Sequence, residues 1–272
     1  MTLRLVPAYA LFAVGSVVML APFLWMVSTS LKANADVFVY PPIWIPDPPQ
    51  WGNYVYVLEL LPFGRYLLNT TFVATTVTVL EVLTSSLAGF AFARVDFPGR
   101  DRLFLIYLAT LMVPGQVTII PNFLVVSWLG WNNTYLALII PAAFSAFGTF
   151  LLRQFFLSIP AELEQAARID GCGYFGIYRH IILPLSGPAL ATLTIFVFMV
   201  QWNSFLWPLI VTNSEQLRTL TVGLSYFRDE YASQFNYLMA GTVMNVVPIL
   251  IVYVALQRYF VRGIALTGLT GR

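Results

Sequence analysis

Glu162, Glu164, Arg168, Asp170 and Arg179 fall within eighteen residues of an otherwise oily chain. At the centre of a bilayer each such charge costs roughly 2.5–3.5 kcal/mol, so this stretch lies outside the membrane. No Ser/His/Asp constellation or metal cluster accompanies the charges, so the chemistry they suit is recognition. Two acids near the start, then Ala166-Ala167, predict a helix. Pro160 suits its first turn, and Gly171 and Gly173 permit a sharp reversal. A second short helix follows from Tyr174 to Leu183, with Ile177 and Ile181 four apart, until Pro184 stops it. A charged helix–turn–helix of this kind is shaped to dock in a groove of another protein.

A second polar set sits inside apolar runs. Thr71, Thr75, Thr78, Glu81 and Ser85 recur at helical steps and share one stripe. Gln201, Trp202 and Asn203 place amides beside an indole, and Asn245 lies in a later run. A sugar ring stacks its C–H surface on an indole while its hydroxyls pair with amides, so these residues are candidates for a translocation path. They serve equally well as packing: an indole in the core with its N–H satisfied, and Glu81 hydrogen-bonded at a contact between helices. Read as an ion site, Glu81 would instead point to an ion-coupled secondary transporter.

The elements that must position these residues are membrane spans. Of 272 residues 59% are hydrophobic and only 10% charged, which leaves too little polar surface for a soluble core of this size. A net charge of +2 gives no reason to expect nucleic acid. Cys172 is the one cysteine and His180 the one histidine, which excludes an internal disulfide and the usual His/Cys metal sites. Six runs can cross about 30 Å of hydrocarbon as helices of about 20 residues: Ala8–Thr29, Leu67–Phe92, Leu103–Val126, Tyr135–Phe155, Ala189–Val211 and Leu238–Phe260. The first is longer than the roughly 7–15-residue core of a signal peptide and reads as a retained span. In the third, Pro114 and Pro121 predict a bend or break. The Pro-rich stretch from Lys32 to Arg65 predicts extended chain held by Trp44 and Trp51 rather than helix.

The fold class expected is an all-α integral membrane protein with six transmembrane helices, one domain over residues 1–272 with a loop at 156–188. With the N-terminus inside, ten of the fourteen basic residues face the cytoplasm, among them Arg94, Arg153, Arg168 and Arg179. Both termini and the charged loop are therefore expected on that side. The chain lacks a phosphate-binding loop, since Lys32 follows Leu31 and no glycine of that pattern, so it does not hydrolyse ATP by itself.

Glu164-Gln165-Ala166-Ala167-Arg168-Ile169-Asp170-Gly171, with Leu183-Pro184 downstream, resembles the EAA loop of ABC importer permeases. Gln165 stands where that family usually has Glu, and Cys172 where a small Ala is usual. Further stretches, among them Thr29-Ser30-Leu31-Lys32, Gly89-Phe90-Ala91-Phe92-Ala93-Arg94, Trp202-Asn203 and Gln257-Arg258-Tyr259-Phe260, are similar to the second permease of carbohydrate importers of the maltose-transporter type. The resemblance covers nearly the whole chain. It implies a coupling helix that fits an ATPase subunit, with Glu164, Gln165, Ala166, Ala167, Asp170, Gly171, Leu183 and Pro184 as contact residues. It further implies a second homologous permease in a heterodimer, two ATPase subunits that bind ATP and Mg, and an extracytoplasmic solute-binding protein. The expected cargo is a sugar or oligosaccharide, with glycerol phosphate or a glycerophosphodiester as the competitor. The tail Gly268–Arg272 occupies the place of a family tail that reaches the ATPase dimer.

Overall fold

The computed structural model describes residues 6–230 and 234–267, and helix is the only regular secondary structure among them. The tail Gly268–Arg272 lies outside the described residues. The chain falls into two compact units: Met1–Leu67 with Leu220–Pro248, and Leu68–Thr219 with Ile249–Arg272.

In the first unit α1 (Val6–Ser30) is apolar on every side, and all its residues from Leu11 to Leu20 are exposed, as suits a helix surrounded by hydrocarbon. The segment expected to be extended instead holds α2 (Gly52–Leu60). Its β-branched and aromatic residues are indifferent helix formers, but Asn53 and Val57 are buried one turn apart, and packing overrides local preference. Asn53 supplies the reason. Its Nδ2 donates to the carbonyls of Ser30 and Lys32 at 2.8 and 2.9 Å, satisfying acceptors that the end of α1 leaves open.

The second unit is built on α3 (Phe63–Arg94), whose residues beyond Leu67 belong to it. Around it stand α4 (Arg100–Ala109), α5 (Gly115–Trp128), α6 (Tyr135–Ile139) and α7 (Ala146–Leu157). They are followed by α8 (Ala161–Ile169), α9 (Tyr174–Ile177), α10 (Leu183–Leu185), α11 (Gly187–Trp202) and α12 (Leu206–Val211). Val77, Leu152, Phe156, Ile182 and Leu193, all fully enclosed, form its core. Beyond it the chain continues through α13 (Leu220–Glu230) and α14 (Phe235–Thr267).

Among the described residues three helices are long and apolar enough to cross a membrane, and up to six spans result if each bent pair counts as one. The pair around Pro114 bends by 100°. Pro114 is extended there and precedes α5, while Pro121 sits inside α5 without breaking it. The fifth expected span divides at Asn203–Phe205 into α11 and α12. Its entry is a 78° bend at Ser186.

The 41° break before α7 shows how a membrane helix tolerates interruption. Freed backbone groups need partners where water is absent, and polar side chains of α3 supply them. Thr84 donates to the carbonyl of Ala143 at 2.7 Å. The Ser145 hydroxyl accepts from the Gly148 amide at 3.1 Å as the N-cap of α7, beside the buried Glu81 carboxylate.

Candidate functional site

The charged loop folds as two helices around a glycine. Glu162 and Glu164 lie in the first turn of α8 and Arg168 in its last, each at the end whose dipole favours its charge. The helix stops in a Schellman turn: the amide of Cys172 bonds the Ala167 carbonyl at 2.9 Å and that of Gly171 bonds Arg168 at 3.0 Å. Gly171 takes φ +83° to close it, a conformation that costs an L-residue strain.

The two faces of α8 do different work. Glu164 and Ala167 turn inward, whereas Gln165, Ala166, Arg168, Ile169 and Asp170 are exposed, Ile169 by 87%. An isoleucine so exposed at a helix end is available to a partner. The second helix departs from expectation. Residues Tyr178–Ile182 form a π-turn, so the buried pair is Ile177 and Ile182, five apart, instead of Ile177 and Ile181. Pro184 does not stop the chain either. It sits in the first turn of α10, where a missing N–H costs nothing, and the reversal comes at Ser186. Leu183 is half-buried and Pro184 exposed. His180 is exposed, its Nδ1 3.1 Å from the carbonyl of Gly176.

One side chain fixes this loop to the body of its unit. Arg94, the last residue of α3, donates through Nη2 to the carbonyls of Phe156 and Ile159, at 2.6 and 2.5 Å. Its Nε stands 2.8 Å from Glu164 Oε1, although the N–H is not aimed along that line. Both side chains are about nine-tenths buried, exposed by 11% and 9%.

The polar stripe of α3 divides. Thr71 and Thr75 are exposed, while Thr78, Glu81 and Ser85 are buried. Thr78 returns its hydroxyl to the Ala74 carbonyl at 2.6 Å. Trp202 is 1% exposed and lies against Phe198, so its ring meets protein and no open path in this conformation. Asn203 is exposed and uses its amide to cap α11 on the Met199 carbonyl at 2.8 Å. Gln201 does reach a cavity, a small hollow shared with Thr70, Ser204, Trp207 and Thr219. The Trp207 indole is pinned by its bond to the Ala137 carbonyl at 2.9 Å. The Thr219 hydroxyl is buried there without a partner. Asn245, 8% exposed, belongs to the other unit. Among the described residues no group of His, Cys, Asp and Glu is arranged to hold a metal ion.

Residues 82–266 match the family of binding-protein-dependent transport system inner membrane components. The chain belongs to that family. This permease is 38% identical over 245 residues to the arabinooligosaccharides transport system permease protein AraQ of Halalkalibacterium halodurans, covering 90% of this chain and 86% of that one. It is 34% identical over 268 residues to the sn-glycerol-3-phosphate transport system permease protein UgpE of Rhizobium meliloti, covering 95% of each. A crystal structure of a bacterial ABC transporter that imports the acidic polysaccharide alginate contains a chain with the same fold. The TM-score is 0.83 with 26% identity, over 94% of this permease and 95% of that chain. Family and fold make it a multi-pass inner-membrane protein and a transporter subunit, not an enzyme.

The permease also holds a buried cation in its first unit. Lys32 is fully enclosed, its ammonium 3.8 Å from the centre of the Trp25 ring, and Trp44 packs edge-on to that ring at 5.0 Å. Burial pushes its pKa below the ordinary value of 10.5, and Asp36 opposes the shift. The unfolded chain therefore binds the proton more readily than the native one, and stability rises as pH climbs toward the ordinary lysine range. The thermal midpoint of the detergent-purified permease is expected to increase over that alkaline window. Lys32→Met should flatten the rise. An equally steep rise in the variant would assign the effect to other groups.

Arg94, Trp207 and Thr219 are the site residues that sequence patterns single out least. An arginine closing a long apolar helix was the available signal for Arg94, but its use as a cap for another helix depends on tertiary placement.

Proposed function

We propose that this permease forms half of the translocation path of an ATP-driven importer for a sugar or oligosaccharide. A second, homologous permease supplies the other half. Two ATPase subunits bind ATP and Mg, and an extracytoplasmic solute-binding protein delivers the cargo. The charged loop and both termini face the cytoplasm, in keeping with the excess of basic residues on that side. The observation that carries the reading is α8, which presents Gln165, Arg168, Ile169 and Asp170 outward while Glu164 holds its inner face to α3. ATPase closure displaces α8, and the displacement re-forms the contacts between spans so that the path opens to the outside. Such coupling requires a contact that differs between the two states, and α8 provides the surface for it. With Glu164 turned inward, Gln165 is the residue of the motif that meets the ATPase, and it does so as a hydrogen-bonding amide.

The hollow around Gln201 has room for little more than one water, about 10 Å³, so it holds no cargo in this conformation. The likeness to AraQ carries the cargo reading, and the importer of the polysaccharide alginate shares the fold. The equally extensive likeness to UgpE keeps glycerol phosphate as the second reading. Family membership weighs against an ion-coupled carrier.

The test is binding of neutral oligosaccharides, alginate fragments and glycerol 3-phosphate to the associated solute-binding protein. ATP hydrolysis by the reconstituted complex is then measured with each loaded form. Stimulation by an oligosaccharide is expected. Stimulation by glycerol 3-phosphate alone would replace the cargo assignment, and hydrolysis indifferent to every loaded form would remove the coupling.

A further inference from the structure

We infer that the Arg94–Glu164 pair is the joint through which movement of α8 enters the transmembrane helices, making Arg94 a positioning residue for transport. This rests on the coupling reading above. The guanidinium gathers three chain segments at one point: the end of α3 that carries it, the end of α7 through the Phe156 and Ile159 carbonyls, and α8 through Glu164. Arginine suits the task because its planar fork offers several fixed donors. Lysine would bring one charged point to three acceptors.

The pair is buried, so it is not a screened surface contact. Breaking one partner leaves an uncompensated charge inside, which makes the joint stiff. Glu164 also lies on the face of α8 away from solvent, and its contribution is therefore to hold the helix, not to touch the ATPase. At its other end α3 is fastened again. Asn69 donates to the carbonyls of Gln216 and Arg218 at 2.8 and 2.9 Å and accepts from the Tyr135 hydroxyl at 2.7 Å. The twenty-five residues between Asn69 and Arg94 make about 37 Å of continuous helix. A displacement at the joint thus reaches the stripe with Thr78 and Glu81 and then the loop at 212–219 through one rigid element. A second brace keeps α3 and α7 together near the joint: Arg153 of α7 donates to the Phe92 carbonyl at 3.2 Å.

The experiment follows the stripe directly. In a Cys172→Ser background, Thr78→Cys reports through its reaction rate with a small thiosulfonate reagent. The assembled complex is measured without nucleotide and trapped with ATP and vanadate. Nucleotide is expected to change the rate in the parent and to change it about fivefold less or weaker still in Glu164→Gln, the lower end of coupling between sites. Arg94→Lys, which keeps the charge and loses the fork, should fall between. Both variants should still co-purify with the ATPase subunits. A full nucleotide response in Glu164→Gln overturns the proposal. So does failure of both variants to assemble, because the pair would then be a folding contact. A parent without any response overturns the coupling reading itself, and the joint with it.

Discussion

Gly171→Val leaves the permease in the membrane and bound to its ATPase partners but disconnects hydrolysis from uptake. At φ +83° a β-carbon meets its own carbonyl, which costs about 1–2 kcal/mol for an ordinary side chain and more for a β-branched one. Outside residues 170–172 no atom lies within 4 Å of the added carbon. The strain is therefore relieved locally, by giving up the two Schellman bonds at 2.9 and 3.0 Å. Losing them re-aims Arg168, Ile169 and Asp170 relative to α9 while the core around Leu152 and Phe156 stays intact. Coupling energies of about 1–3 kcal/mol are all that link most paired sites, so strain of this size is enough to erase one. Uptake into proteoliposomes should drop by about tenfold or more, on that same scale, and hydrolysis should no longer respond to loaded solute-binding protein. Gly171→Asn, which tolerates the left-handed region, should keep much of the response. Full coupled uptake in Gly171→Val would show that the turn does not set the docking surface.

Much of this is legible in the residues themselves. Five charges in an oily chain mark the loop, because their cost in hydrocarbon exceeds what the segment gains by inserting. Spacing assigns its first helix, and Gly171 its turn. What eluded the pattern was decided by contacts between distant residues. The helix Gly52–Leu60 forms because Asn53 finds the open carbonyls of Ser30 and Lys32, 23 and 21 residues away in sequence. The π-turn at Tyr178–Ile182 shifts which isoleucine is buried, and nothing in local periodicity announces an extra residue. The aromatic and amide residues sit in an apolar run, but their surroundings depend on a break that period alone does not reveal. Asn203 caps α11 and Trp202 is enclosed, leaving Gln201 with Trp207 to face the hollow. Glu81 suits path or packing equally by its spacing, and in this structure it is buried.

A close approach of α3 and α7 in the second unit makes the other large expectation. A β-carbon on Gly148 of α7 would lie 2.5 Å from Ser85 Oγ, 3.1 Å from Ser85 Cβ and 3.3 Å from Leu193 Cδ2. Ser85 is 1% exposed and Leu193 wholly enclosed, so neither has room to yield. Close approach of helices through small residues supplies packing that a bilayer cannot replace by hydrophobic force. Gly148→Ala should cost about 1–3 kcal/mol, the usual penalty for overpacking. Gly148→Leu should part α3 from α7 and reduce membrane accumulation several-fold. Removing the obstacle separates this cause from a change in helix propensity, which would favour alanine. Ser85→Gly combined with Gly148→Ala should regain most of the thermal midpoint lost by Gly148→Ala alone, a coupling that residues in contact show and distant ones do not. The same crossing bears on transport, because Gly89 meets the α7 backbone one helical turn further along, where a β-carbon would lie 3.1 Å from the Arg153 amide nitrogen. These contacts keep α3 and α7 moving as one body above the Arg94 joint. If Gly148→Leu accumulates and transports like the wild type, the two helices are not locked together, and movement of α8 must reach the path by another route.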